Sequence, residues 1–238
     1  MPEALRPGGV RIRYEVAGDG PPLVLAHGFS ASLEMWAWQQ PYLAAGRRLI
    51  LWDARGHGGS SAPADPAQYS MAELAADLRA VLEAAGAADE CVIGGMSFGG
   101  QIALQYAVDY PESTRALVLS DTTTRGSRPP ADTAQVPAQF AQSPGLAGAY
   151  VGMQSRADLT PQLPALTMPA LVIYGDWDEL IADSVHRLAD GLPQRRMVRM
   201  TGCFHGTSAQ RPKDWTDAVL QFLADVDAGE PVSGELTR

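Results

Sequence analysis

Short apolar runs recur along the chain, separated by longer stretches in which apolar residues repeat with a helical period. Several of the short runs are continuously apolar, which is typical of parallel strands buried on both faces. We predict seven strands from these runs: "RIRYEVA" (11–17), "PLVLAHG" (22–28), "RRLILWD" (47–53), "CVIGG" (91–95), "ALVLSD" (116–121), "ALVIYGD" (170–176) and "RMVRM" (196–200).

The clearest helical pattern runs from Met71 to Ala85, with its apolar positions on one face. Ser70 is placed to cap the first turn and Glu73 to reach back to it, while Gly86 suits the end of the helix. Strands that alternate with helices predict an α/β fold, with a mostly parallel central sheet and helices on both faces.

The length of the chain fits one domain, so we expect residues 1–238 to form a single unit. The segment 125–168 breaks the alternation, because it is rich in Pro, Ala, Gln and Ser. We predict that it is a small insertion with one or two short helices over one end of the sheet; an inert surface excursion is the alternative. The polar tail, 227–238, is expected to be frayed.

Composition limits the possible partners. A net charge of −9 argues against binding to nucleic acid or to an anionic membrane surface. No run approaches the length of a membrane span, and the start "MPEALRPGGV" lacks the pattern of a signal peptide. Two cysteines are too few for a disulfide framework, so we expect a cytoplasmic protein.

One serine is surrounded by glycines between an apolar run and a helical pattern, in Gly95-Met96-Ser97-Phe98-Gly99. In that context G-x-S-x-G predicts a nucleophile elbow, with a strained serine exposed above the sheet. Gly95 and Gly99 would lie too close to their neighbours to carry side chains. Met96 and Phe98 flank the serine, and we expect them to line the pocket for the acyl group.

A serine hydroxyl needs a base to become a good nucleophile, and the chain has four histidines. His205, in "TGCFHG", follows the last predicted strand on a loop at the carboxyl edge of the sheet, where α/β folds bind ligands. We therefore predict that His205 is the base. His186 lies in a helical stretch, where we expect a surface or half-buried residue, and His57 in a Gly-rich turn, where we expect a structural hydrogen-bonding role; His27 follows a buried strand.

The base needs an acid that holds its tautomer and stabilises its charged form. Between the serine and His205, the loop "YGDWDEL" provides Asp178 as the first candidate and Asp176 as the second. Asp121 follows the preceding strand, and capping a turn is the more usual role for such an aspartate.

Four motifs, in this order and at this spacing, resemble those of the α/β-hydrolase fold superfamily: "HGFS", "DARGHGGSS", "GMSFGG" and "GDWD". The chain is most similar to small serine carboxylesterases, lactonases and cofactor-free haloperoxidase-like members, with a shortened cap. The resemblance covers nearly the whole chain. It implies that Asp178 rather than Asp176 is the acid.

The same resemblance assigns the oxyanion hole to the backbone N–H groups of Phe29 and Phe98, which would stabilise the negative charge of a tetrahedral intermediate. His27 and Gly28 would then support the loop that aims the N–H of Phe29.

A serine at the elbow implies an acyl-serine intermediate, whereas related dehalogenases and epoxide hydrolases use an aspartate there. We expect hydrolysis of carboxylic esters with short to medium acyl chains, in an open site under a reduced cap. An enol-lactonase, a C–C bond hydrolase, a cofactor-free perhydrolase and a non-catalytic ligand receptor are the alternatives. We expect no cofactor and no metal, a small-molecule ester or lactone as partner, and a monomer or small homo-oligomer.

Overall fold

The computed structural model of the protein describes residues 2–125 and 136–238. Nine strands of these residues form one sheet. They are β1 (Glu3–Arg6), β2 (Val10–Ala17), β3 (Pro22–Ala26), β4 (Arg48–Trp52), β5 (Cys91–Met96), β6 (Thr114–Ser120), β7 (Ala170–Gly175), β8 (Arg195–Met200) and β9 (Glu235–Thr237). Their order across the sheet is β1-β2-β4-β3-β5-β6-β7-β8-β9.

Helices connect the strands. They are α1 (Gln40–Leu43), α2 (Met71–Ala84), α3 (Phe98–Asp109), α4 (Ala138–Ala141), α5 (Pro144–Gln154), α6 (Ala182–Gly191), α7 (Thr207–Gln210) and α8 (Pro212–Ala228). In the parts of the chain that are described, none of the helices combines the length and apolar character needed to cross a membrane.

The predicted α/β architecture is confirmed. From β4 through β3 to β9 every neighbouring pair is parallel, while β2 is antiparallel to both β1 and β4. All seven predicted strands are present, with bounds within two residues of the expected ones. The predicted helix is α2, where the hydroxyl of Ser70 accepts from the N–H of Glu73 at 3.2 Å. The Glu73 side chain does not complete a capping box but pairs with Arg6.

The sheet is buried on both faces, which explains its continuous apolar strands. In β3, Leu23 and Leu25 belong to one apolar cluster, and Val24 and Ala26 to the other. Residues of α2, α3 and α6 pack in the cluster of Val24, whereas residues of α1 and α8 pack in the cluster of Leu23. The parallel strands thus all end at one edge, where their connecting loops meet.

The tail differs from the expectation that 227–238 is frayed. Its end forms β9, which pairs in parallel with β8 in the register Met197↔Glu235 to Arg199↔Thr237. Without this pairing, β8 would be an edge strand with unsatisfied backbone groups. Val232, only 4% exposed, packs in the same apolar cluster as α8. The backbone of β8 and one buried valine order a segment that has no strand pattern of its own.

Part of the predicted insertion, 126–135, lies outside the described residues. The remainder contains α4, α5 and a 3-10 turn at Thr160–Ala165. Helix α5 lies against Tyr69, since a side chain at Gly148 or Gly152 would collide with that residue. The insertion is therefore held by close backbone packing on the loop that precedes α2.

A buried ion pair joins α2 to two other segments. The carboxylate of Asp77, fully buried in α2, accepts hydrogen bonds from Arg55 Nε at 2.7 Å and from Arg6 Nε at 3.0 Å. Arg55 is itself 3% exposed. Each charge compensates the other in a region that water does not reach.

We expect Asp77→Ala to lower the free energy of unfolding by about 3–5 kcal/mol, because it removes the buried carboxylate bound to Arg55 and leaves its guanidinium only the longer contact with the half-exposed Glu73, at 3.5 Å. Glu83→Ala is the matched control on the same helix. It removes the exposed pair with Arg79 and should cost at most about 1 kcal/mol. Urea unfolding followed by circular dichroism measures both; equal losses would contradict the prediction.

Candidate active site

Ser97 stands on the turn between β5 and α3, with φ 53° and ψ −111°. This is a strained conformation for a residue other than glycine. Three hydrogen bonds hold it. The N–H of Ser97 donates to the carbonyl of Ser120 at 2.8 Å, and its own carbonyl accepts from the N–H of Gln101 at 3.0 Å and from Oγ1 of Thr122 at 2.8 Å.

Glycines allow the backbone to approach so closely at this turn. A Cβ atom at Gly95 would collide with the backbone of Gly99, and one at Gly99 would collide with the carbonyl of Ala26 in β3. A Cβ at Gly28 would lie 2.9 Å from Sδ of Met96. The elbow therefore packs directly on the end of β3.

The structure brings Ser97, His205 and Asp178 together. His205 lies between β8 and α7, and its Nε2 is 2.8 Å from Oγ of Ser97. Its Nδ1 is 2.7 Å from Oδ2 of Asp178, a residue that follows β7 and is 7% exposed. Since a carboxylate only accepts hydrogen bonds, we assign the ring proton to Nδ1. In that tautomer Nε2 can accept the proton of the serine.

The two other candidate acids do not contact His205. Oδ1 of Asp176 accepts from the N–H of Gly202 at 2.7 Å, so this side chain holds the turn after β8. Asp121, 1% exposed, accepts from the N–H of Thr207 at 3.1 Å and from Oγ1 of Thr207 at 2.8 Å. Asp121 thus anchors the start of α7, close behind His205.

The loops after β3 and β5 place Phe29 beside Phe98. These two strands pair in parallel, with Ala26 opposite Gly95. The rings of Phe29 and Phe98 are 6.1 Å apart. Within the described ranges, neither residue's backbone N–H has a hydrogen-bond acceptor. Two free N–H groups beside an exposed serine hydroxyl are what an oxyanion hole requires.

His27 orients one of these two N–H groups. The N–H of Ala54 donates to its Nε2 at 3.0 Å, so Nδ1 carries the proton and donates to the carbonyl of Gly28 at 2.7 Å. That carbonyl and the N–H of Phe29 belong to one planar, trans peptide. A hydrogen bond that fixes the direction of the carbonyl therefore also fixes the direction of the N–H. Burial lowers the pKa of His27 to about 4, which keeps the ring neutral in this role.

His57 packs beside His27, with ring centroids 4.9 Å apart. Its Nδ1 lies 3.2 Å from the carbonyl of Arg55, and its ring contacts Phe29 and Phe98. Burial, and then the neighbouring His27, lower the pKa of His57 to about 4. His57 therefore packs against the two phenylalanines whose N–H groups are free.

A cleft of about 810 Å³ opens over Ser97 and His205. The insertion provides part of its wall, from Met153 to Asp158. Contrary to the expectation from the sequence, Phe98 does not line the cleft, because its side chain is fully buried against Phe29 and His57. Met96 is absent from the lining too and is 9% exposed.

Among residues 2–125 and 136–238, no three His, Cys, Asp or Glu side chains are arranged to hold a metal ion.

Several residues of the site carry no signal in the sequence. Thr122 and Gln101 hold the carbonyl of Ser97, and Arg125 and Arg156 line the cleft, yet none belongs to one of the four motifs. Asp121 is visible in the sequence as an aspartate after a strand, but its bonds to α7 depend on tertiary contacts. Such supporting residues become apparent only from the three-dimensional arrangement.

Comparison with known proteins identifies the family of the chain. A family model described as "alpha/beta hydrolase fold" matches residues 21–162, more than half of the chain. The 2-hydroxymuconate semialdehyde hydrolase of Pseudomonas sp. (strain CF600) is 28% identical over 264 residues, which cover 92% of this chain and 93% of that protein. Fluoroacetate dehalogenase of Burkholderia sp is 38% identical, but over only 48% of this chain and 38% of its own length.

Among solved structures, a thermophilic esterase from Thermogutta terrifontis superposes with a TM-score of 0.84. It is 26% identical in sequence, and the match covers 94% of this chain and 98% of the esterase.

We expect the free energy of unfolding to fall as pH decreases from about 6.5 towards 4. Over this range the unfolded chain protonates its histidines, whereas the folded state keeps His27 and His57 neutral. At 1.36 kcal/mol per pKa unit, each buried histidine contributes roughly 2–3 kcal/mol to this loss.

His57→Gln should make the pH dependence shallower than in the wild-type protein, and urea unfolding at several pH values measures it. His186→Gln, which replaces an exposed ring, is the control and should keep the wild-type slope. The prediction fails if the His57 and His186 variants have the same slope.

Proposed function

The chain belongs to the α/β-hydrolase fold family, and from this premise we propose that it is a serine hydrolase of carboxylic esters with short to medium acyl chains. One observation carries the proposal: the hydrogen-bonded series from Ser97 Oγ through His205 to Asp178, open to a cleft. A ligand receptor would not need a base aligned at 2.8 Å on its serine.

In the first step His205 accepts the hydroxyl proton at Nε2 while Oγ of Ser97 attacks the ester carbonyl. The carbonyl oxygen becomes negatively charged and binds the N–H groups of Phe29 and Phe98, which need no reorganisation. Asp178 stabilises the imidazolium through its hydrogen bond to Nδ1.

In the second step His205 returns the proton to the leaving alkoxide, and the alcohol departs from an acyl-serine. Water then takes the place of the alcohol, donates a proton to Nε2 of His205 and attacks the acyl carbonyl. The tetrahedral intermediate collapses to the carboxylic acid and free Ser97. The same groups serve both halves of the reaction.

C–C bond hydrolysis is the second candidate, favoured by the nearly full-length match to 2-hydroxymuconate semialdehyde hydrolase. Enol-lactone hydrolysis uses the same acyl-serine chemistry. We favour simple esters because the insertion is small, so the cleft has little wall with which to enclose one particular substrate.

We expect Ser97→Ala to lower kcat for p-nitrophenyl butyrate by at least about 10⁴-fold, since no other hydroxyl replaces Oγ. Ser184→Ala, which also changes the cleft lining, is the control and should retain most of the activity. Initial rates on acetate, butyrate, octanoate and palmitate esters are measured for all three proteins.

An initial rate that is highest for the acetate or butyrate ester supports the proposal of an open site. An initial rate that is highest for the palmitate ester would instead indicate a deep acyl tunnel. Equal rates for the wild-type protein and Ser97→Ala on every ester, with cleavage of a vinylogous diketone by the wild type, would transfer the proposal to C–C hydrolysis.

We expect Asp178→Asn to lower kcat by roughly 10³–10⁴-fold, because an amide at this position favours the wrong tautomer of His205. Asp176→Asn is the matched variant in the same loop. Its amide oxygen can still accept from Gly202, so kcat should change only a few-fold. Steady-state rates on p-nitrophenyl butyrate give the ranking, and the reverse order would make Asp176 the acid.

A further inference from the structure

Arg156 lies in the wall of the cleft that contains Ser97 and His205. It follows α5, and its guanidinium donates three hydrogen bonds. Nη1 donates to the carbonyl of Met153 at 2.6 Å, while Nη2 donates to Oγ1 of Thr123 at 2.9 Å and to the carbonyl of Arg125. All three acceptors are neutral, so they fix the guanidinium in place without compensating its charge.

No carboxylate of the described residues lies within ion-pair distance of Arg156. The other arginines that are largely buried each have one: Arg55 pairs with Asp77, Arg13 with Asp53 and Arg47 with Asp227. A desolvated cation without a counter-ion is unfavourable. In agreement, burial lowers the pKa of Arg156 to about 10.

Neighbouring charges do not remove this imbalance. Asp158 raises the pKa of Arg156 through its field but does not come within ion-pair distance of it; Oδ1 of Asp158 instead accepts from the N–H of Thr160 at 2.9 Å and from Oγ1 of Thr160 at 2.6 Å. Asp121, in the opposite wall, is bound by Thr207. Arg125 adds a second cation to the lining.

We propose that Arg156 binds a carboxylate of the substrate, so that the preferred substrates are esters or lactones bearing a separate ionised carboxyl group. The proposal rests on the function proposed above. Nη1 retains a second N–H, and a guanidinium matches a carboxylate in both geometry and charge. A single carboxylate would compensate the charge of Arg156, whereas Arg125, the other cation of the lining, is exposed to solvent.

Two pairs of substrates test this, and in each pair a methyl ester removes the charge of one carboxylate. Mono-4-nitrophenyl adipate is compared with its methyl ester, and 4-acetoxybenzoate with methyl 4-acetoxybenzoate. The first pair places the carboxylate on the acyl side and the second on the alcohol side. We expect kcat/KM of the wild-type protein to favour the acid by about tenfold or more in one pair, as for a charge-assisted hydrogen bond.

Arg156→Gln should lower this ratio of acid to methyl ester at least tenfold, and Arg156→Lys should preserve part of it, because a lysine keeps the charge but not the planar fork. Arg199→Gln, an exposed arginine of β8, is the control and should keep the wild-type ratio. In the wild-type protein, raising NaCl from 20 mM to 0.5 M (roughly a fivefold shorter screening length) should lower the ratio.

The wild-type measurements do not depend on whether the variants fold. Ratios near one in both pairs, with turnover that requires Ser97, would overturn the role of Arg156 and leave the esterase proposal intact. No Ser97-dependent turnover of any of the four esters would overturn both. A preference for the acid that persists in Arg156→Gln would also overturn the assignment to Arg156.

Discussion

The positive φ of Ser97 is the constraint on which the rest of the site depends. A serine in this conformation projects its hydroxyl away from the sheet only if its peptide is held from several sides. Ser120 binds its N–H and Thr122 its carbonyl, and the elbow rests on the end of β3. Strain of order 1–3 kcal/mol persists because the surrounding backbone overdetermines the turn. The chemistry thus begins with a local conformation that the parallel sheet imposes.

The end of β6 connects the nucleophile to the base. The carbonyl of Ser120 accepts from the N–H of Ser97, while its hydroxyl accepts from Nε1 of Trp215 at 3.0 Å and donates to Asp121 at 2.8 Å. Asp121, itself at φ 49°, then binds the first residue of α7, two positions after His205. One strand end therefore sets the separation of the two reacting groups, and the 2.8 Å contact between them follows from it.

The sequence predicts the features that depend on local residue patterns, but not those that depend on contacts between distant segments of the chain. Seven strands and the elbow could be predicted, because buried parallel strands are continuously apolar and a strained turn excludes side chains at Gly95 and Gly99. The strand β9 could not, since the exposed backbone of β8 orders it. Phe98 was expected in the pocket, but the helix that begins there turns its ring into the core. Arg156 belongs to no sequence motif, because it stands out only through its position in the cleft and the lack of a counter-ion among the described residues.

The residues of the site lie in two parts of the fold, the ends of the parallel strands and the insertion. Ser97, Asp178 and His205 follow the ends of β5, β7 and β8, where small displacements would disturb the core, so their geometry is tied to the stability of the sheet. Met153 and Arg156, which line the cleft, lie on or after α5, and the glycines of this helix pack on Tyr69. Substitutions there change the charge and shape of the cleft without passing through the strained turn. Under the proposed function, selectivity can therefore vary in this fold while the geometry of Ser97, His205 and Asp178 remains fixed. The proposed role of Arg156 is one case, in which a single cation of the insertion sets the class of ester that the cleft prefers.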